Sequence, residues 1–275
     1  LICIKTIVRN RSVNRVRTTF HCWIIWWNAE FYCWRRYFIT FPALLLVGVP
    51  PISANATNTF ASCSGYISGA YAFRQELQAH KHELPKLILI SLFGGIAGAW
   101  LLIHTPETLF RAAIPWLLLF ATFLFVFGTR LNATIRQLAS QHPYASIIGS
   151  PLLFLTLFGV CIYGGFFNAG LGIVILSYLA LAGYTNINAM NGLKLLISSC
   201  VSLIAIAVFI YDDLIAWYEG SIVLVGTLAG GYVAARISRK IPQIYVRYFV
   251  ILAGIVITIY FFYDVYFSQV VGLHG

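Results

Sequence analysis

Charged side chains are what this chain has least of. They make up 9% of its 275 residues, while 60% of the residues are hydrophobic. A soluble domain carries roughly 25% charged residues, because a surface that faces water needs them. We therefore expect most of the surface to face lipid, which excludes an ordinary soluble domain and predicts a membrane protein.

The groups that enzymes and metal sites use are also missing from the apolar stretches. None of these stretches contains two carboxylates, a pair of histidines or a Ser/His/Asp set, which acid–base or metal chemistry requires. There is no Walker-type glycine loop, and none of the six cysteines forms a Cys-x-x-Cys pair. No basic and aromatic patch outside 1–38 suggests nucleic acid. The sequence thus predicts no enzymatic activity, cofactor, metal ion or nucleic acid partner.

The first 38 residues differ in composition from the rest of the chain. They hold seven of the 18 basic residues and four of the seven tryptophans. A tryptophan codon read one base later always encodes glycine, and the spacing from Trp27 to Trp34 equals that from Gly165 to Gly172. We hypothesise that 1–38 is mistranslated from a frameshifted gene whose true product is glycine-rich there. The alternative is a genuine Trp- and Arg-rich segment at the membrane interface.

Eight apolar stretches are long enough to cross a membrane, which takes roughly 17–25 residues. They cover about 53–73, 86–103, 111–128, 146–163, 166–182, 188–210, 220–236 and 244–265. A shorter one covers 38–48 and is followed by Pro50-Pro51. The polar stretch 129–145 is the expected boundary between two halves.

Three short patterns occur twice, in the same order and about 133 residues apart. The pairs are Asn55-Ala-Thr-Asn58 with Asn188-Ala-Met-Asn191, Gly94-x-x-x-Gly98 with Gly226-x-x-x-Gly230, and Pro106-x-x-x-x-Arg111 with Pro242-x-x-x-x-Arg247. In so apolar a chain, a duplicated half indicates a transporter built from two repeats, here 39–128 and 146–266, joined by a linker at 129–145. The glycine pairs are expected to be packing faces.

Loop charges predict that the two repeats are inverted. The loop 74–86 contains three basic residues, while its counterpart 211–219 is acidic. The bias reverses in the next pair, where 104–110 has no Lys or Arg and 236–247 has four. Basic loops stay in the cytoplasm, so 74–86, 129–145 and 236–247 are expected there and 211–219 outside. The predicted fold is an all-α, multi-pass bundle of about 8–10 membrane segments in two inverted, pseudo-symmetric repeats.

The repeated asparagine motif is the first candidate site. Asn55, Thr57 and Asn58 are expected to open one helix, and Asn188 and Asn191 its repeat. Asparagine is a favoured N-cap, and a helix N-terminus presents free N–H groups with partial positive charge. Two such ends related by pseudo-symmetry make a natural anion site. Ordinary capping at the membrane interface is the alternative.

A glycine-rich segment is the second candidate. It contains Gly164, Gly165, Asn168, Gly170 and Gly172. Each glycine destabilises a helix by roughly 1 kcal/mol relative to alanine, and lipid cannot satisfy an opened backbone. The segment therefore predicts open backbone that lines a substrate cavity, a tight turn between closely packed helices, or both.

Lys194 is the third candidate, because lysine is costly inside a membrane segment. It would act as an anion ligand or a charge relay. The alternative is a side chain that snorkels to the cytoplasmic interface. The repeat places Ala61 at the equivalent position, so the two halves are not expected to be chemically equivalent.

Several of these segments resemble a known family. Segments 164–172, 185–194 and 226–235 resemble the second repeat of the sulfite exporter TauE/SafE family of membrane permeases, and 41–45, 48–51 and 56–58 resemble its first repeat. The resemblance implies a bacterial inner-membrane permease that moves a small sulfur-containing anion, such as sulfite or an organosulfonate, by alternating access. Two further hypotheses are an intramembrane enzyme acting on a lipid-linked substrate and an assembly partner that transports nothing.

Overall fold

The structure is a computed structural model that describes residues 37–141, 150–226 and 243–267. Within these ranges the chain is helical and contains no β-strand. The helices are α1 (Tyr37–Val47), α2 (Pro51–Ala72), α3 (Arg74–Gln78), α4 (Leu84–Ile103), α5 (Glu107–Gln141), α6 (Ser150–Phe166), α7 (Leu171–Leu181), α8 (Ile187–Tyr211), α9 (217–226 as far as described) and α10 (Gln243–Phe262). A π-helical turn, Tyr263–Phe267, follows α10. The hypothesis about 1–38 falls almost wholly outside the described residues.

Within the described ranges, three helical segments are long and apolar enough to cross a membrane: Leu84–Ile103, Glu107–Gly128 and Ile187–Tyr211. They coincide with three of the predicted spans. The apolar helix α7 has only 11 residues, which is about 16 Å at the α-helical rise. The span predicted over 166–182 is therefore not one continuous helix. Helix α5 continues to Gln141, so the first part of the predicted linker is helical.

Helices α4 and α6 lie side by side and run in the same direction. A Cβ at Gly94 would lie 2.5 Å from the Cys161 Cβ, and one at Gly98 would lie 2.1 Å from the Ile162 carbonyl oxygen. Only glycine permits so close an approach. The predicted packing role of Gly94 and Gly98 is confirmed, whereas Gly230 lies outside the described residues.

Helices α6 and α7 form a hairpin within the bundle. Since α6 runs alongside α4, it begins near the beginning of α4. Tyr184, just after α7, donates a hydrogen bond to Glu83, just before α4. Both arms of the hairpin therefore open at this end of the bundle, which we call the Tyr184 end. The tip is the non-helical break at 167–170.

Helices α2 and α8 run antiparallel. Thr57, early in α2, accepts a hydrogen bond from the Ala216 N–H, which lies beyond the last residue of α8. Gly69, late in α2, contacts Leu195, early in α8. We call the region around Thr57 and Ala216 the Ala216 end of the bundle. It lies opposite the Tyr184 end. Leu77, six residues before Glu83, contacts Gly192 near the beginning of α8. Helix α8 therefore begins at the Tyr184 end and ends at the Ala216 end.

Helices α5 and α10 also run antiparallel. Early in α5, Arg111 lies 3.5 Å from Asp264, just beyond α10. Further along α5, Thr122 hydrogen-bonds Thr258 within α10 at 3.4 Å.

Large apolar side chains such as Trp116, Phe93 and Leu119 remain exposed, as expected for a surface in contact with lipid.

Candidate functional site

Helix α1 packs against the hairpin tip from which α7 begins. Helix α7 has 11 residues, as does the described part of α1, so each of these two half-helices reaches about half of a 30 Å hydrocarbon layer. The Phe41 ring in α1 packs edge-on against Phe167 in the hairpin tip, with 5.6 Å between ring centroids. Helix α1 then runs to the Ala216 end, where Val47 and Ala216 line the same cavity. Helix α7 runs the other way, to the Tyr184 end.

The two half-helices end in the same backbone motif. After α1, the Val49 N–H bonds the Leu44 carbonyl at 3.1 Å, and Gly48 has φ +94°. After α7, the Tyr184 N–H bonds the Leu179 carbonyl at 3.0 Å, and Gly183 has φ +91°. This is the Schellman ending, in which glycine adopts the left-handed conformation. The endings lie at opposite ends of the bundle.

Three buried asparagines connect the elements around the hairpin tip. The Asn55 Nδ2 atom donates to the Phe166 carbonyl at 2.9 Å. The Asn58 Oδ1 atom accepts from the Thr40 hydroxyl of α1. The Asn168 Nδ2 atom donates to Ser202 Oγ, near the middle of α8, at 3.2 Å. These residues, Asn55, Asn58 and Asn168, are at most 2% exposed, and we call them the asparagine cluster.

Two atoms of the asparagine cluster have no hydrogen-bond partner among the described residues. They are Asn58 Nδ2, a donor, and Asn168 Oδ1, an acceptor. Leaving such a buried atom unsatisfied costs about 1–3 kcal/mol. Unpaired buried groups in native proteins usually indicate a bound water, ion or ligand.

The predicted capping role of the repeated motif is wrong. Helix α2 begins at Pro51, and no side chain caps it, because proline fixes the first turn and lacks the N–H. Asn55 and Asn58 therefore lie inside the helix. Helix α8 is capped by Asn186, whose Oδ1 accepts from the Asn188 N–H at 2.9 Å, and the Asn188 side chain is exposed.

Lys194 is buried, with 4% of its surface exposed. Its Nζ donates to Asn191 Oδ1 at 2.9 Å, so these two predicted residues are brought together. Lys194 precedes Ser202 by eight residues, about 12 Å along the helix axis. It therefore forms a second polar layer, nearer the Tyr184 end than the asparagine cluster. Its burial disfavours the snorkelling alternative.

The glycines divide into two groups. Gly164 and Gly165 lie within α6, and a Cβ at Gly165 would lie 2.5 Å from the Gly95 carbonyl oxygen. They allow close packing, so the tight-packing alternative describes them. Gly170, with φ +76°, precedes α7 without any side-chain cap. Gly172 lies in the first turn of α7, so open backbone is limited to 167–170.

Sequence reasoning missed three polar residues around these layers: Thr40, Ser198 and Ser202. All three are buried. The four-residue spacing of Lys194, Ser198 and Ser202 could have indicated a polar stripe along α8. Nothing in the local sequence indicates that Thr40 meets Asn58, because the two belong to different helices.

A cavity of about 290 Å³ opens at the Ala216 end. The α1–α2 turn over 47–50 lines one side, and Asp213 and Glu219 line the other. Thr57, a predicted site residue, bonds the Ala216 N–H at 3.0 Å beside this cavity. Its hydroxyl joins α2 to the α8–α9 connection. Within the described part of the chain, this bond does not bring Thr57 together with Asn168 or Lys194.

At the Tyr184 end, Tyr184 joins the two halves of the chain. Its hydroxyl donates to the Glu83 carboxylate, and its ring lies 5.6 Å from the His80 ring. Burial, followed by the bond to Glu83, raises the pKa of Tyr184. The phenol therefore keeps its proton and remains a donor at neutral pH.

The chain is similar to bacterial proteins that are named as probable membrane transporters. The chain is 24% identical over 227 residues to a "Probable membrane transporter protein" of Haemophilus influenzae, covering 82% of this chain and 86% of that one. It is 25% identical to the "Probable membrane transporter protein YfcA" of Escherichia coli K12, over 82% of this chain and 81% of the relative. The "Probable membrane transporter protein ORF9" of Sinorhizobium sp is 28% identical over 72% and 73% of the two chains.

The family model Sulfite exporter TauE/SafE matches residues 38–261, and the chain belongs to this family of membrane transporters. The resemblance seen in the repeated segments is thereby confirmed. No solved structure matches the chain.

Proposed function

We propose that this protein is a permease that carries a small sulfur oxyanion, such as sulfite or an organosulfonate, across the bacterial inner membrane by alternating access. The main support is that α7 begins at the buried hairpin tip, beside the asparagine cluster and the α1 residue Phe41. Phe41 of α1 and Leu171, the first residue of α7, are buried in the core, and α7 has no side-chain cap. Uncapped N–H groups and the helix dipole favour an anion there.

The packing supports two inverted repeats, 39–128 and 146–266, with a cytoplasmic linker at 129–145. Under the repeat, α2 corresponds to α8, α5 to α10, and α1 to α7. The first two pairs run antiparallel, and the third pair ends at opposite ends of the bundle. A two-fold axis in the membrane plane relates helices in this way, whereas an axis along the membrane normal would leave them parallel. The Tyr184 end would be cytoplasmic and the Ala216 end would face outward.

Lys194 supplies the positive charge in this proposal. It is buried beside Asn191, and its layer lies between the asparagine cluster and the Tyr184 end. An anion that leaves the asparagine cluster toward the cytoplasm would meet this ammonium group next. A buried lysine in a membrane segment is costly, which makes it a functional candidate by default.

Sulfite flux in vesicles containing the purified full chain tests the proposal. Lys194→Ala and Asn191→Ala should each lower the flux at least about tenfold, equivalent to 1.4 kcal/mol. Lys81→Ala is the matched control, because Lys81 is exposed in the loop before α4. Normal flux in both variants would refute the site. Absence of flux of sulfite and organosulfonates in the unaltered protein would refute the permease and favour the assembly partner.

A further inference from the structure

The two unpartnered atoms of the asparagine cluster have opposite hydrogen-bonding character. Asn58 Nδ2 can only donate, and Asn168 Oδ1 can only accept. An oxyanion with no attached hydrogen could satisfy the first atom. It would leave the second unsatisfied, and its negative oxygens would repel the carbonyl oxygen of Asn168.

Short chains of contacts place both amides around the hairpin tip. Asn58 bonds Thr40, and the neighbouring ring of Phe41 packs on Phe167, the residue before Asn168. About one turn earlier on the same face of α2, Asn55 bonds the carbonyl of Phe166. In the structure Thr40 donates to Asn58 Oδ1 and Ser202 accepts from Asn168 Nδ2, which leaves Asn58 Nδ2 and Asn168 Oδ1 without a partner among the described residues.

We propose that Asn58 and Asn168 select a small oxyanion that also carries a hydroxyl group. An anionic oxygen accepts from Asn58 Nδ2, and the hydroxyl donates to Asn168 Oδ1. This inference rests on the proposed anion permease and narrows its substrate class to hydroxylated or protonated sulfur oxyanions. A site built to bond a hydroxyl rejects the analogue that lacks it, because its own buried group is then left unpaired.

Two sulfonates of equal charge and nearly equal size test the proposal. Hydroxymethanesulfonate has a hydroxyl where ethanesulfonate has a methyl group, and the sulfonate is the same in both. Binding to the purified full chain should be at least about tenfold tighter for the hydroxyl compound, the equivalent of one lost hydrogen bond to a buried group. In Asn168→Leu the ratio should fall to near one, while Asn188→Leu, altered at an exposed side chain, should keep it.

The outcomes separate this inference from the proposed function. Equal binding of both sulfonates to the unaltered protein would overturn the selection and leave the anion site standing, with a bound water satisfying the two amides. A ratio that persists in Asn168→Leu would also overturn it. If neither sulfonate binds and sulfite does not bind either, the anion site itself fails, and the selection fails with it. The ratio in the unaltered protein decides the case even where Asn168→Leu does not fold.

Discussion

One four-residue pattern occupies two different environments in this protein. In the first half, Asn55-Ala-Thr-Asn58 lies inside α2, and both asparagines are fully buried. In the second half, Asn188-Ala-Met-Asn191 begins α8, where Asn188 is exposed and Asn191 holds Lys194. The helices begin at different points relative to the motif, because Pro51 starts α2 four residues before Asn55. A shared motif therefore does not imply a shared role when the helix boundary moves.

The largest expected effect comes from placing a charge at matched positions of the motif. Asn55→Asp should lower the free energy of unfolding by about 3–5 kcal/mol, the range for an uncompensated buried charge. Asn188→Asp should change it by no more than about 0.5 kcal/mol, as at other exposed sites. Thermal unfolding in detergent measures both. Equal losses would show that the two copies are buried alike and would remove the contrast between the halves.

A smaller loss of stability, equal in the two halves, is expected at the glycines that end α1 and α7. Gly48→Ala and Gly183→Ala force a side chain into the left-handed region, which costs roughly 1–2 kcal/mol. No atom lies within 4 Å of the added Cβ at either site, so only the backbone conformation contributes. The same unfolding experiment should give two similar shifts. Clearly unequal shifts would contradict a common ending for α1 and α7.

The smallest expected effect concerns the asparagine that caps the beginning of α8. Asn186→Ala removes the side chain that bonds two N–H groups of α8, and such caps contribute about 0.5–2 kcal/mol, typically near 1. Asn188→Ala, two residues later, should be neutral in the same assay. If Asn188→Ala destabilises as much as Asn186→Ala, the capping role belongs to the repeated motif after all.

Much of the fold could be predicted from single residues and their spacing. Few charges and long apolar stretches predicted the membrane helices, and Gly94 and Gly98 predicted a close helix contact. The glycines of 164–172 predicted an interruption, although only 167–170 is non-helical. The candidate site was predicted less well. Three of its predicted residues, Asn55, Asn58 and Lys194, are buried, but Asn55 and Asn58 were expected to open a helix and instead lie inside α2.

Composition alone determined that this chain is a membrane protein, because 9% charged residues are too few to cover a surface that faces water. Local spacing determined where the helices break, because glycine and proline act on their own backbone. Only the tertiary structure decided that Phe41 of α1 packs against Phe167 at the hairpin tip, and that Asn55 bonds the carbonyl of Phe166, 111 positions away. Such bonds depend on which helices pack together, and no window of neighbouring residues contains that information.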